Sequence, residues 1–274
     1  VFFIYIVFSA KIHNRQTRRR LLRRMRLRMR SKTCWGFSTD MEKKKRFYKE
    51  VAVAPCESGF TVELDGHAVK TPARLLLVVG NPELAEAVAG EWRAQGDEIH
   101  QDTMPFTRYV CTALDRVTPQ RDAVIEETVR YGETDQLCYR AQEPEELVKR
   151  QLLTWQPLLD WAETHYGAQF ETTDGLAAVA QDDDALAKLC AAVEAENDLT
   201  LTGLHIATAT SGSLIVALAL MEGEVDAESA WRISQIEERW QLERWGEDEE
   251  LVERLEGLRQ EISNAQKFMF MARA

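Results

Sequence analysis

The chain reads as an α+β protein, with a small N-terminal module of sheet plus helix followed by a long all-helical region. Three observations predict this. Residues 47–80 alternate apolar and polar side chains at the period of a strand and carry an Asp65-Gly66 turn. Beyond Pro105, apolar residues recur at helical spacing instead. The 274 residues are 45% hydrophobic, enough to bury a sizeable core without disulfides or metals. The expected organisation is a basic extension over residues 1–45, an α+β domain over 46–105 and a helical domain over 106–274.

In the first module, Phe60, Val62 and Leu64 alternate with Thr61 and Glu63, and Asp65-Gly66 turns the chain into His67-Ala68-Val69-Lys70. Thr71-Pro72 breaks that strand, and Leu75 to Val79 forms another. A helix follows, with Asn81 as cap, Pro82 in its first turn and Leu84, Val88 and Trp92 on one face that should be core. Gln95-Gly96-Asp97 closes it, Glu98-Ile99-His100 returns to the sheet, and Thr103-Met104-Pro105 marks the change of texture. The sheet is expected to be mixed.

Thr118-Pro119 opens a helix running to about Tyr131, and Pro144 opens a longer one. In the latter, Val148, Leu152, Trp155, Leu159 and Ala162 form the core stripe, and Pro157 should kink it. Asp182 to Asn197 is a third helix, its three leading Asp residues suiting the positive end of the dipole. Leu199 to Met221 carries no formal charge, but Thr, Ser and Gly interrupt its apolar run. It predicts a buried helix pair rather than a membrane span. The last helices run from Ala227 to Met271, with Leu251, Leu255, Leu258 and Ile262 as a stripe.

Charge is unevenly spread. Residues 1–40 hold eleven Lys/Arg against Asp40 alone, a segment of +10, so the body carries −21 and is unsuited to neutralising nucleic-acid phosphates. Val1 to Ala10 is apolar but too short to span a bilayer, and its charges follow rather than precede it, unlike a secretory signal. The segment reads as an over-long start before Met41, placing the protein in the bacterial cytoplasm. A transit peptide, hence the mitochondrial matrix, is the alternative. Five well-separated cysteines without a C-x-x-C pair fit a reducing compartment.

Motifs for chemistry are missing. There is no phosphate-binding glycine loop of the G-x-x-x-x-G-K-[ST] or G-x-G-x-x-G type. His67, His100, His165 and His205 lie far apart without ligand spacing, so neither a metal nor a cofactor is expected. Thr210-Ser211-Gly212-Ser213 only faintly resembles a nucleophile elbow, because Ala209 stands where that motif requires glycine. Asp182-Asp183-Asp184 and Glu247 to Glu250 read as helix starts rather than calcium loops.

What does stand out is Trp240-Gln241-Leu242-Glu243-Arg244-Trp245-Gly246-Glu247-Asp248-Glu249-Glu250, two indoles and five carboxylates in eleven residues. Aromatic anchors rimmed by charge suit protein recognition, since Trp brings large apolar area at small entropic cost while acids orient the partner. By spacing alone, Ile233, Ile236 and Trp240 equally form a buried stripe, with the acids as a solvated helix start.

Laid in order, several short motifs resemble one family. They are Gly59-Phe60-Thr61-Val62, Leu64-Asp65-Gly66, Val69-Lys70-Thr71-Pro72-Ala73, Glu91-Trp92, Thr103-Met104-Pro105, Thr107-Arg108 and Asp115-Arg116-Val117. Tyr131-Gly132, Thr134-Asp135, Cys138-Tyr139-Arg140, Leu158-Leu159-Asp160-Trp161, Ser211-Gly212-Ser213, Trp240-Gln241 and Trp245-Gly246-Glu247-Asp248-Glu249 continue them. From about Arg46 to the C-terminus the chain resembles the assembly chaperones of the F-type ATP synthase catalytic head, which attend the unassembled alpha subunit. The resemblance implies an α+β domain followed by an orthogonal helical bundle, and a monomer that shields the alpha subunit from aggregation until it meets the beta subunit. No ATP hydrolysis, nucleic acid or membrane insertion is implied. Motif matching places partner binding on Trp240, Gln241, Trp245, Glu247, Asp248 and Glu249, with Glu238 and Glu243 as second choices. The roles of Lys70 and Arg108 stay open. Two other classes remain: an enzyme with an unrecognised carboxylate site, pairing Asp135 with an acid of the Glu247–Glu250 cluster, and a structural subunit of a complex.

Overall fold

Asp65 and Gly66 both take positive φ, 49° and 77°. That turn matches the twist of its flanking strands, so the chain reverses in two residues. In the computed structural model of the protein, which describes residues 44–174, 178–246 and 248–273, this turn joins β2 (Gly59–Leu64) to β3 (His67–Ala68), with Leu64 opposite His67. The expected basic extension lies outside the described residues as far as residue 43. The Asp65 carboxylate accepts from the Lys49 and Glu50 N–H groups at 3.0 and 2.8 Å, tying the turn to the approach of β1 (Val51–Cys56). β1 pairs with β2 from Val51 opposite Leu64 to Cys56 opposite Gly59, and β4 (Val78–Val79) pairs with β2 along its other edge.

All pairs among these four strands are antiparallel, where the sequence suggested a mixed sheet. A parallel pair needs a crossover of a dozen or more residues, and the module's helix comes only after β4. Gly59, at φ 142°, admits the edge of β4, because a Cβ there would stand 2.3 Å from the Val79 carbonyl oxygen.

Asn81 caps α1 (Pro82–Arg93) by accepting from Glu83 N–H at 2.7 Å. Leu84, Ala85, Val88 and Ala89 bury against the sheet. Trp92, expected in that core, sits at its margin and is only half-buried. Its ring meets Tyr48 edge-on at 5.6 Å, and Tyr48 Oη donates to its carbonyl. Glu91 on the same helix accepts from the Phe106 and Thr107 N–H groups and the Thr107 hydroxyl, each at 2.7 Å, so α1 caps α2 (Pro105–Thr112). Between them lies β5 (Glu98–Ile99).

The chain then winds through a wide turn, residues 113–117, and a tight one, residues 118–120, into α3 (Arg121–Glu133). α4 (Glu145–Tyr166) continues through Pro157. Its buried stripe is Leu147, Gln151, Trp155, Leu158, Leu159 and Ala162, while Leu152 is 55% exposed. The expected stripe through Val148 and Leu152 is therefore rotated by about one residue, because a polar residue, Gln151, occupies the inner face.

α5 (Asp183–Glu194) starts as expected, Asp182 accepting from Asp184 N–H at 2.9 Å. The uncharged stretch forms the helix pair α6 (Asp198–Ser211) and α7 (Leu214–Glu222). They are separated by Gly212 at φ 73° and Ser213, which caps α7 by accepting from Val216 N–H. No helix among the described residues is long and apolar enough to cross a membrane. α8 (Ala227–Ser234) and α9 (Ile236–Trp245) follow, and α10 (Glu249–Arg273) closes the bundle. α10 lies along α6 so tightly that a Cβ at Gly203 would be 2.5 Å from Met269 Cγ and 3.2 Å from Phe268 Cδ1. Phe268 in turn meets Tyr109 of α2 edge-on at 5.2 Å, joining three helices in one core.

Candidate partner-binding surface

Of the residues that the sequence singled out near the C-terminus, Glu238, Trp240, Gln241, Glu243 and Trp245 lie on α9, Asp248 immediately precedes α10 and Glu249 is its first residue. α9 follows a break at Gln235, whose backbone (φ −109°, ψ 25°) leaves the helical region after α8. Ile233, Ile236 and Trp240 continue as one buried stripe across that break, at 8%, 8% and 7% exposure. Trp240 is thus a packing residue, and its indole supports Trp245. The two rings meet edge-to-face at 5.4 Å, and the Arg244 guanidinium lies 5.8 Å from the Trp240 ring. Both arrangements suit the negative face and positive edge of an indole. Trp245, one helical turn on, is 50% exposed.

Gln241 is half-buried, whereas Glu243, Asp248 and Glu249 are exposed. Glu247 lies outside the described residues. Glu243 accepts from Arg150 of α4 at 2.6 Å, and Arg150 also meets Glu146 at 2.8 Å, so this acid helps pin α9 to α4. Asp248 accepts from Leu251 N–H at 3.2 Å and so opens α10 as a cap. Glu238 is largely covered, its carboxylate 3.4 Å from Arg254. Burial raises its pKa more strongly than Arg254 lowers it.

Sequence reasoning missed the residue beside it. Glu237 is 7% exposed and its carboxyl accepts from Gln151 Nε2 at 2.7 Å, a contact spanning 86 positions. Burial, with a smaller push from the neighbouring charge of Glu238, lifts its pKa to about 7. Gln151 Oε1 accepts from Ala141 N–H at 2.7 Å, and Trp155 Nε1 donates to the Ile233 carbonyl at 2.8 Å. The Gln151–Glu237 bond thus ties α9 to α4, and the Trp155–Ile233 bond ties α8 to it. The available signal was a lone Gln at a position that helical spacing from Trp155 and Leu147 assigns to the core.

The rival carboxylate pair finds no support in the geometry of Asp135. Asp135 is fully buried, and its two oxygens accept from the Leu137 and Ile215 N–H groups at 3.0 and 3.1 Å. It caps the start of α7 from the turn at residues 136–138, and burial raises its pKa to about 6 despite those bonds. Among the described residues, no cluster of three or more His, Cys, Asp or Glu is placed to hold a metal ion.

The architecture defines a helical scaffold with a small antiparallel sheet module, presenting an aromatic residue and several acids on its outside. Comparison with known proteins gives the same class a family. The model of the ATP12 chaperone protein family matches residues 45–163. The crystal structure of Atp12 from Paracoccus denitrificans superposes with a TM-score of 0.80 at 38% identity, over 84% of this chain and 98% of that one. The Atu1473 protein of Agrobacterium tumefaciens gives 0.80 at 40% identity, over 84% and 86%. The mitochondrial protein atp12 of Schizosaccharomyces pombe is 24% identical over 241 residues, covering 81% of this chain and 83% of its own. The chain belongs to the ATP12 chaperone family.

Proposed function

We propose that this chaperone assembles the F-type ATP synthase catalytic head by binding the unassembled alpha subunit, covering its apolar flank until the beta subunit replaces it. An exposed apolar flank of several hundred Å² is an aggregation hazard, and a transient cover removes it. Capture must be firm yet reversible, which suits micromolar to nanomolar affinity, about −8 to −12 kcal/mol. The observation that carries the contact assignment is Trp245, half-exposed at the end of α9 although the ring next to it, Trp240, is buried. Exposed Asp248 and Glu249 stand just beyond it on a helix start held by backbone bonds. We assign the contact to Trp245, Gln241, Glu243, Asp248 and Glu249 and, by its place in the sequence, Glu247, with Glu238 at the edge and Trp240 as the support behind it. We read the protein as non-catalytic, since Asp135, the rival acid, is already satisfied by backbone donors.

The test follows aggregation of chemically unfolded alpha subunit on dilution, by light scattering. Trp245→Ala combined with Asp248→Lys and Glu249→Lys should stay folded but lose about 1–3 kcal/mol, because it removes the Asp248 cap and places cations at the start of α10. It should nonetheless protect the alpha subunit poorly and lose the salt dependence of association expected of steered encounter. Equal protection by both proteins at low and moderate salt would place the contact elsewhere.

A further inference from the structure

The sequence motif Val69-Lys70-Thr71-Pro72-Ala73 has no part in the surface on α9, yet the fold holds it with unusual care. Residues 69–77 form a second hairpin. Leu77 N–H donates to the Val69 carbonyl at 2.9 Å, Lys70 bridges Leu76, and Thr71 N–H donates to the Leu75 carbonyl at 2.9 Å. Arg74 takes φ 67° to close the tip, donating its N–H to the Thr71 carbonyl at 2.8 Å. A side chain from the turn after α2 then locks the tip in place. Asp115 accepts from the Thr71 hydroxyl at 2.5 Å with one oxygen and from Ala73 N–H at 3.0 Å with the other.

This preorganised tip exposes apolar surface. Leu75 and Leu76 are 48% and 43% exposed, although the next residue, Leu77, is fully buried. Lys70 and Arg74 flank the leucines, are exposed, and have no ion pair among the described residues. On a body carrying −21 outside its first forty residues, two unpaired cations beside two exposed leucines form a local surface of the opposite sign. Rigid apolar anchors bind at lower entropic cost than mobile ones, and uncompensated charge at their rim selects a partner of complementary charge. We propose that the Lys70–Leu76 hairpin is a second docking surface for the client subunit, taking an extended segment in which carboxylates flank aliphatic side chains. The identity of the client rests on the function proposed above, whereas the chemistry of the segment rests on the hairpin alone.

Two double variants of the full chain test this, Leu75→Ser with Leu76→Ser and Lys70→Glu with Arg74→Glu. Two probes are used: isolated alpha subunit and a labelled synthetic peptide alternating Asp and Leu. The peptide should bind the unaltered chain, and both variants should weaken it at least tenfold while melting within a few degrees of it. The Glu variant should also abolish the salt dependence, and a peptide alternating Lys and Leu should bind neither variant more weakly than the unaltered chain. Alpha-subunit affinity should fall about tenfold in both variants. Unchanged affinity for both probes would overturn the docking surface, as would a dimer of the unaltered chain that the Ser variant converts to monomer, which would make a second copy the occupant. A peptide that binds at the hairpin when the alpha subunit does not bind at all would sustain the surface and refute the client.

Discussion

A carboxyl buried against an amide, as Glu237 is against Gln151, keeps its proton into the neutral range because no cation offsets the lost hydration. Its pKa rises from 4.5 to about 7 in the folded chain. The folded protein therefore binds a proton that the unfolded chain has released, so stability falls as pH rises from about 4.5 to about 7 and is level above that. The full difference is about 3 kcal/mol, at roughly 1.4 kcal/mol per pH unit. Glu237→Gln keeps an acceptor for Gln151 and has no charge to desolvate. It should melt with the unaltered protein at pH 5 and well above it at pH 8. Asp135 adds a fall in the same direction at lower pH, which the difference between the two proteins cancels. Parallel melting curves at both pH values would mean that water reaches Glu237. The sequence could not show this pair, since it joins residues 86 positions apart. Asp65-Gly66 and Asn81-Pro82 were legible because their bonds close within a few residues of backbone.

At the scale of elements, the α6–α10 crossing decides how the bundle closes. Gly203 stands where the helices approach, and a methyl there would meet Met269 Cγ at 2.5 Å and Phe268 Cδ1 at 3.2 Å. Helix propensity alone would make Gly203→Ala stabilising by about 1 kcal/mol. Overpacking acts the other way, typically by about 1–3 kcal/mol, and Phe268 is hemmed in by Tyr109 and Phe106. The variant should therefore be less stable in urea unfolding. A raised midpoint would show that Met269 swings clear at no cost. Helix identities were readable from spacing and caps, as at Asp182 and in the α6–α7 pair split at Gly212. Which face is inward was less so. Leu152 fits the period of Trp155 but lies outside, because the inner place goes to Gln151 and its bonds to Glu237 and Ala141. Apolar periodicity is blind to a buried amide.

Over the whole molecule, the α+β architecture was legible in the sequence because two-residue periodicity gives way to helical periodicity along the chain. The proposed contact surface was legible only as a stretch of sequence. Spacing alone did not separate Trp240, which supports the fold, from Trp245, which faces outward. An acidic chaperone with one supported, half-exposed indole and acids beside it should form a discrete complex rather than associate diffusely. The most direct measurement mixes the chain from Met41 onward with isolated alpha subunit and weighs the product by analytical ultracentrifugation, before and after adding beta subunit. The account predicts a one-to-one complex that beta subunit dissolves, returning the chaperone to the free pool while alpha and beta sediment together. No complex, or a chaperone that stays with the assembled head in fixed proportion, would contradict it.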